Sequence, residues 1–515
     1  MPGQARTGAL IVHGTRVRKP PRGGWGRALA CLLLASGLVF PNPRVRAQEA
    51  NPDIASSAGT VESRQLQDVD AWGVPTRPVV AIGEVVGINL LTWGLNYYIR
   101  DQSFAVVYPN TWWNNIKNGF EYDGNLFATN MIDHPYHGTL YYNASRSNGI
   151  GYWGSVPMTL AGSLMWECCG ERHPMAFNDV VNTTLGGIAL GEVMFRTSSA
   201  ILNNEATGAE RVGREVAAFI LNPIRGFNRA ITGHAFTSRP NPVDPDDRTP
   251  GYFTLALDAG YRDVRPDAPD RTPVEGAFFK LGIDFGNPFA GRRGGAFDVF
   301  EFDLSMYAGD QNVFGSLAVR GNVLTRDLKR GDRSHHVWAV VQSYEYDDTY
   351  AYQFGNQNVG LRLESLWDLG DSGSLRTRVQ GGLILFGTLD SALRPAGDLP
   401  SGLNLRPFDY TTGLDGGLEA EARLGPVSAT AGWRSSWMRS VNHNSVNGGR
   451  ATHLLHRGKL VAGIRLLRQL GLAGDLRVFM RNSDYAVSLF ESVSETVPEM
   501  RLYGTWIMIP GRNPR

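Results

Sequence analysis

His134 and His137 stand three residues apart in DHPYHG, and Glu167 and Glu171 stand four apart in WECCGE. Imidazole and carboxylate are the groups of general acid–base catalysis, and two histidines with one carboxylate also make a common metal set. The spacing fits no specific metal signature. There is no HExxH, and Pro135 between the histidines marks a helix start or a bend. No nucleophile is marked either, because Ser145, Ser147, Ser155 and Ser163 all lie outside any GxSxG. We therefore expect no metal and no cofactor, and take His134, His137, Glu167 and Glu171 as the candidate catalytic groups. A structural role competes with that one: Asn130, Asp133 and His137 would pin a turn, Arg146 would pair with Glu167 or Glu171, and Asp179 would cap its helix.

These residues must be held by helices. PVVAIGEVVGINLLTWGLNYYIR (78–100) opens on proline and is largely apolar. Glu84, Asn89 and Asn96 interrupt it, so we expect it buried against protein rather than facing lipid. Helical spacing recurs over 155–167 and 177–203, and over REVAAFILNPIRGFNRAI with a break near Pro223. Cys168 and Cys169 are neighbours, which disfavours a bridge between them. We expect two buried thiols.

After PNPVDPDDRTP the period changes from helical to two. Phe253, Leu255, Leu257 and Ala259 alternate with Thr254, Ala256 and Asp258, and Phe300, Phe302, Leu304 and Met306 alternate with Glu301, Asp303 and Ser305. Marking each such run gives about twelve strands of about ten residues, centred near 257, 281, 303, 319, 340, 362, 381, 416, 432, 461, 479 and 504. That length and that even count suit a barrel crossing a bilayer. The polar set of the alternation would face the lumen: Asp258, Lys280, Asp284, Glu301, Asp303, Arg320, Arg362, Glu364, Arg376, Arg378, Arg434, Arg477 and Arg501. Its mixed signs should pair across a narrow pore and constrict it.

Arg16, Arg18, Lys19, Arg22 and Arg27 precede the apolar run Ala28–Phe40, and VRA–QEA supplies a small-residue cleavage site, so residues 1–47 read as a secretory signal. A net charge of +1 over 515 residues gives no basic surface for nucleic acid.

Between Asn130 and Glu192 several spaced motifs occur in order: Asn130, then HPYHG (His134, Pro135, Gly138), ASRSNG (Arg146, Asn148, Gly149), WECCGE (Trp166, Glu167, Gly170, Glu171), and later Asp179 and the pair Gly191–Glu192. This run resembles an uncharacterised bacterial envelope family, domain of unknown function 3943, over roughly residues 80–235. The resemblance implies a Gram-negative envelope protein and assigns no reaction.

The fold expected is α+β: signal (1–47), linker (48–77), helical domain (78–235) and an antiparallel transmembrane β-barrel of about twelve strands (250–510). The location expected is the outer membrane. Its lipid, and the export and barrel-assembly machinery, would be the partners. The helical unit would act as a plug or a periplasmic unit, in a structural, transport or assembly role. An envelope-lipid- or polymer-modifying enzyme and a soluble periplasmic β-sandwich binding protein are the alternatives.

Overall fold

A computed structural model describes residues 74–241 and 252–509, the second stretch without 268–271, 291–294, 309–312, 350–351, 392–405, 444–448 and 487–489. The expected signal and most of the expected linker lie outside the described residues.

The helical unit runs α1 (Pro78–Gly94), α2 (Pro109–Asn118), α3 (His134–Ser147), α4 (Tyr152–Cys169), α5 (Phe177–Val181), α6 (Gly187–Ile201), α7 (Gly208–Leu221) and α8 (Pro223–Ile231). A two-residue parallel pair, β1 (Phe120–Glu121) with β2 (Met175–Ala176), ties α2 to the end of α4. α1, α2 and α8 each begin on proline, whose fixed φ suits a first turn and whose missing N–H would have no helical partner there. Wide π-type turns precede α3 (Thr129–Asp133) and α6 (Asn182–Gly186), so the segment expected to be a simple turn enters its helix through a π turn.

α3 and α6 cross on glycine. A Cβ at Gly138 would lie 1.8 Å from the Thr183 carbonyl oxygen, and one at Gly187 would lie 2.6 Å from Gly138 Cα. Only hydrogen at both positions allows that approach. α1 departs from expectation: it is not enclosed by protein. Ala81, Val85, Ile88 and Asn89 are buried, Glu84 turns toward Asn228 of α8, and Val79, Ile82, Val86, Leu90 and Leu91 are exposed.

The second half is a closed antiparallel barrel of twelve strands. They are β3 (Phe253–Val264), β4 (Val274–Phe285), β5 (Phe300–Tyr307), β6 (Phe314–Arg330), β7 (Ser334–Asp348), β8 (Gln353–Asp368), β9 (Ser374–Asp390), β10 (Phe408–Leu424), β11 (Val427–Ser440), β12 (Ala451–Arg465), β13 (Leu470–Tyr485) and β14 (Val493–Ile509). Each expected centre falls inside one of them. β14 pairs back onto β3, with Trp506 opposite Leu257, and closes the sheet. Leu361, Leu383, Leu418, Leu460, Leu476 and Leu502 are more than half exposed on the outer face. That apolar band on a closed sheet is the surface a bilayer covers; a soluble sandwich would bury it against a second sheet.

Strands β6 to β10 have 15 to 17 residues, more than the bilayer core requires. The helical unit packs against their outer wall, and β7 shows this by its alternation. Glu345 points into the lumen, where Arg320 and Arg457 reach it at 2.8 and 3.0 Å, so Gln342, Tyr344 and Tyr346 point outward. Those outward groups meet the helices. The Tyr344 hydroxyl donates to the Met131 carbonyl, Gln342 Nε2 donates to the Leu185 carbonyl at 3.0 Å, and Tyr346 stacks on Phe127 at 5.3 Å. The helical unit therefore lies outside the lumen, so that of the two placements expected, plug or periplasmic unit, it is not a plug.

Candidate functional site

The ends of α3, α4 and α5 meet at the tips of the long strands. Tyr410, two residues into β10, accepts a bond from Asn130 Nδ2 at 3.0 Å and donates to the Asp123 carbonyl at 3.0 Å. Asn178 links the same groups, donating to Asn130 Oδ1 at 2.7 Å, to Asp179 Oδ1 at 2.8 Å and to Asp123 Oδ1 at 2.5 Å. His134 Nε2 lies 3.3 Å from Asp179 Oδ2 without hydrogen-bond geometry. The Glu167 carboxylate accepts from the Ala176 backbone N–H at 2.8 Å.

His137 belongs to a second strand of this network. Its Nε2 lies 2.9 Å from the Tyr141 hydroxyl and 3.4 Å from Thr92 Oγ1, and Tyr141 donates to Asn89 Oδ1 at 2.7 Å. With the tyrosine proton on Asn89, the Tyr141 hydroxyl oxygen can accept from a protonated His137 Nε2, a tautomer that would leave Nδ1 as the base. Trp166 meets the His137 ring edge-on at 5.5 Å.

Burial separates the protonation states. It lowers His134 to about 4, and lowers His137 to about 3 with the help of His134's charge. It raises Glu171 to about 7, with Asp123 adding repulsion. Burial also raises Glu167 and Asp179 well above the carboxylate range, Glu171 adding to the first and Asp123 to the second. Two imidazoles that burial keeps neutral thus sit in one buried network with carboxyl groups that burial holds protonated. Such an arrangement can give and take protons near neutral pH. Among the described residues no group of histidine, cysteine and carboxylate side chains is disposed to hold a metal ion.

The sequence-derived roles are redistributed. Arg146 does not reach Glu167 or Glu171. Its Nε bonds Glu192 Oε2 at 3.0 Å, and Arg196 takes Glu192 Oε1 at 2.8 Å. Glu192 is fully buried, and these two guanidiniums hold it ionised against the cost of burial. Asp179 makes no cap, since the residue before α5 is Ala176. Asn148 Nδ2 bonds the Ala144 carbonyl at 2.8 Å, and Gly149 turns the chain at φ 72°. Gly170 and Gly191 leave room for the rings of Trp166 and Tyr142. Cys168 and Cys169 are free thiols, half-buried. Asp123, Asn178 and Tyr141 were not foreseen in these roles. For Tyr141 a signal existed, its position four residues after His137 on one helix face.

The lumen is filled by charge. Glu301 pairs with Arg378 at 2.6 Å, Asp303 with Lys280 at 2.7 Å, Arg434 with Asp415 at 2.6 Å, Arg477 with Asp475 at 2.9 Å and Arg501 with Glu499 at 2.8 Å. Arg376 and Arg378 both bond Glu364, and Asp258 accepts from Thr505 at 2.7 Å. Asp284 lies in register with Glu301, and Arg362 is buried on the same inner face. Glu345 is the unforeseen hub, bound by Arg320, Arg434 and Arg457 from three strands. Nearer the strand tips comes an apolar layer, beyond which charge returns with Arg481 on Asp390 at 3.2 Å and Arg406 on Asp409. Val264, Phe354, Ile384, Leu389, Met438, Leu455, Phe479 and Val497 form one buried cluster, and Tyr352 stacks on Phe479 at 3.7 Å.

No curated protein matches the chain. Among solved structures it is similar to the NanC porin (11% identity over 50% of this chain and 100% of that one, TM-score 0.25). Others are an anion-selective porin from Comamonas acidovorans (8%, 50% and 98%, TM-score 0.22) and a Pseudomonas aeruginosa FadL homologue (11%, 52% and 94%, TM-score 0.22). The segment that builds the His–carboxylate site, residues 119–224, matches the family described as Domain of unknown function (DUF3943), a narrower span than the motifs implied and one that leaves α1 outside it.

Proposed function

We propose that this chain is an outer-membrane protein whose barrel is a closed anchor, not a diffusion channel, and that it carries a helical unit on its outer wall. One observation carries the reading: the apolar cluster draws side chains from β3, β8, β9, β11, β12, β13 and β14 into a single contact across the lumen. An apolar constriction excludes water, and with it ions. The protein reconstituted in planar bilayers should show no steady conductance, and Phe354→Ala with Phe479→Ala should create a measurable one. A large stable conductance of the unaltered chain would refute the anchor role.

A second reading is favoured by the buried His–carboxylate network, in which His134 lies 3.3 Å from Asp179 and burial raises Glu167, Glu171 and Asp179. The helical unit would then be an enzyme acting on envelope lipid or polymer by acid–base chemistry, with the His137 Nδ1 as base and Glu167 as acid. Incubating His137→Ala and unaltered protein with outer-membrane lipid extract tests it by product analysis. No product from the unaltered chain, with the fold intact, removes the enzyme reading.

A further inference from the structure

The helical unit exposes an apolar face that the barrel does not cover. α1 and the turn after it make 22 residues, Pro78–Ile99, long and apolar enough to cross a membrane. The exposed side, Val79, Ile82, Val86, Leu90 and Leu91, carries no charge. Glu84 and Asn89 lie on the other side, bonded to Asn228 and to the Gly162 carbonyl. The two ends of α1 differ as the two edges of a membrane span do. Arg77 precedes it, and Trp93, Tyr97 and Tyr98 pack together at its end, with centroids 4.7 to 6.0 Å apart.

Its place in the fold supplies the second argument. α1 runs antiparallel to α3: the Arg77 N–H bonds the Asn148 carbonyl at one end, and Thr92 meets His137 at the other. The residues flanking α3 touch the barrel wall, Met131 at Tyr344 and Tyr152 at Gln342, the latter at 2.9 Å. The contact therefore reaches Gln342, in the interior of β7 (Ser334–Asp348) and not at its tip. Gln342 is in register, through Val359, with Leu383, Leu414, Trp437 and Leu454 on the neighbouring strands. All four are exposed apolar residues of that band. The footprint of the helical unit thus occupies rows that are otherwise lipid-covered.

We propose that the helical unit is sunk into the bilayer beside the barrel, with the uncharged face of α1 against acyl chains. This rests on the outer-membrane reading and extends it. The His–carboxylate site, at the strand tips, then opens at the membrane edge instead of over the lumen.

The test is spin-label accessibility in phosphatidylcholine–phosphatidylglycerol liposomes, on the full chain with Cys31, Cys168 and Cys169 changed to serine. Labels at Val86→Cys and Leu90→Cys are compared with one at Leu418→Cys on the barrel. Oxygen should relax all three strongly and a water-soluble nickel complex only weakly. Nickel-accessible labels on α1 beside a lipid-like Leu418 overturn the proposal and leave the barrel reading standing. A nickel-accessible Leu418 overturns both. Labels on α1 shielded from oxygen and nickel alike point to a second protein surface and also overturn it. Should the labelled variants fail to fold, an acyl-chain photoreactive lipid on the unaltered chain decides, with adducts expected within Pro78–Ile99 and their absence refuting the immersion.

Discussion

Glu345→Ala tests the closed lumen most directly. The carboxylate is 2% exposed, and three guanidiniums converge on it, Arg320 at 2.8 Å, Arg457 at 3.0 Å and Arg434 closer still. Arg434 keeps Asp415 at 2.6 Å and Arg457 keeps the same residue at 3.8 Å, so the truncation strands Arg320 most. Removing one partner of a buried ion pair costs about 3–5 kcal/mol, because the charge left behind is uncompensated. Arg320 is 27% exposed, and water reaching it places the expected loss near the bottom of that range, at about 3 kcal/mol. That is roughly two powers of ten in the folding equilibrium. The assay is urea unfolding from liposomes, followed by tryptophan fluorescence and by heat-modifiable gel mobility. Arg320→Ala should recover part of the loss in a double-mutant cycle. A Glu345→Ala midpoint indistinguishable from that of the unaltered chain, with unchanged steepness, would refute the reasoning by showing the hub to be solvated.

Three further outcomes are expected. Glu192→Ala removes the buried carboxylate that Arg146 and Arg196 share, Arg196 keeping Asp298 at 3.0 Å, and should cost about 3 kcal/mol, seen as rapid proteolysis of the helices beside an intact barrel. Gly138→Ala cannot be accommodated against the Thr183 carbonyl and should loosen α3 from α6; native-like protease resistance would show that the crossing can open. The pH dependence has two opposed limbs. Glu171 rises from 4.5 to about 7 on folding, so its contribution is intact below pH 4.5 and lost as pH climbs through 7. His134 falls from 6.5 to about 4, so its contribution is intact above pH 6.5 and lost as pH drops through 4. Protease resistance of the helices against pH should lose the part of its alkaline limb near pH 7 in Glu171→Gln, the part above it belonging to Glu167 and Asp179, and an unchanged limb would contradict the assignment.

What could be read from the chain was whatever a period or a local motif records. A strand with one face to lipid and one to a lumen must alternate, so all twelve strands were legible. The α1 and α4 helices and the family motifs were legible too, whereas α3, expected as a turn, was not. Tertiary structure alone decided the pairings, because the partner of a charge is set by register and closure. Arg146 therefore went to Glu192, and Glu345, at the end of an aromatic strand, became a hub reached from across the barrel. It also decided the position of the helical unit. Periodicity shows that β7 has two faces, and that Tyr344 and Tyr346 share one of them. Whether lipid or helix covers that face depends on what the fold brings there. Glu84 argued against a lipid-facing α1, and it was the presence of Asn228 on one side only, a fact of packing, that left the opposite side of the helix free of charge.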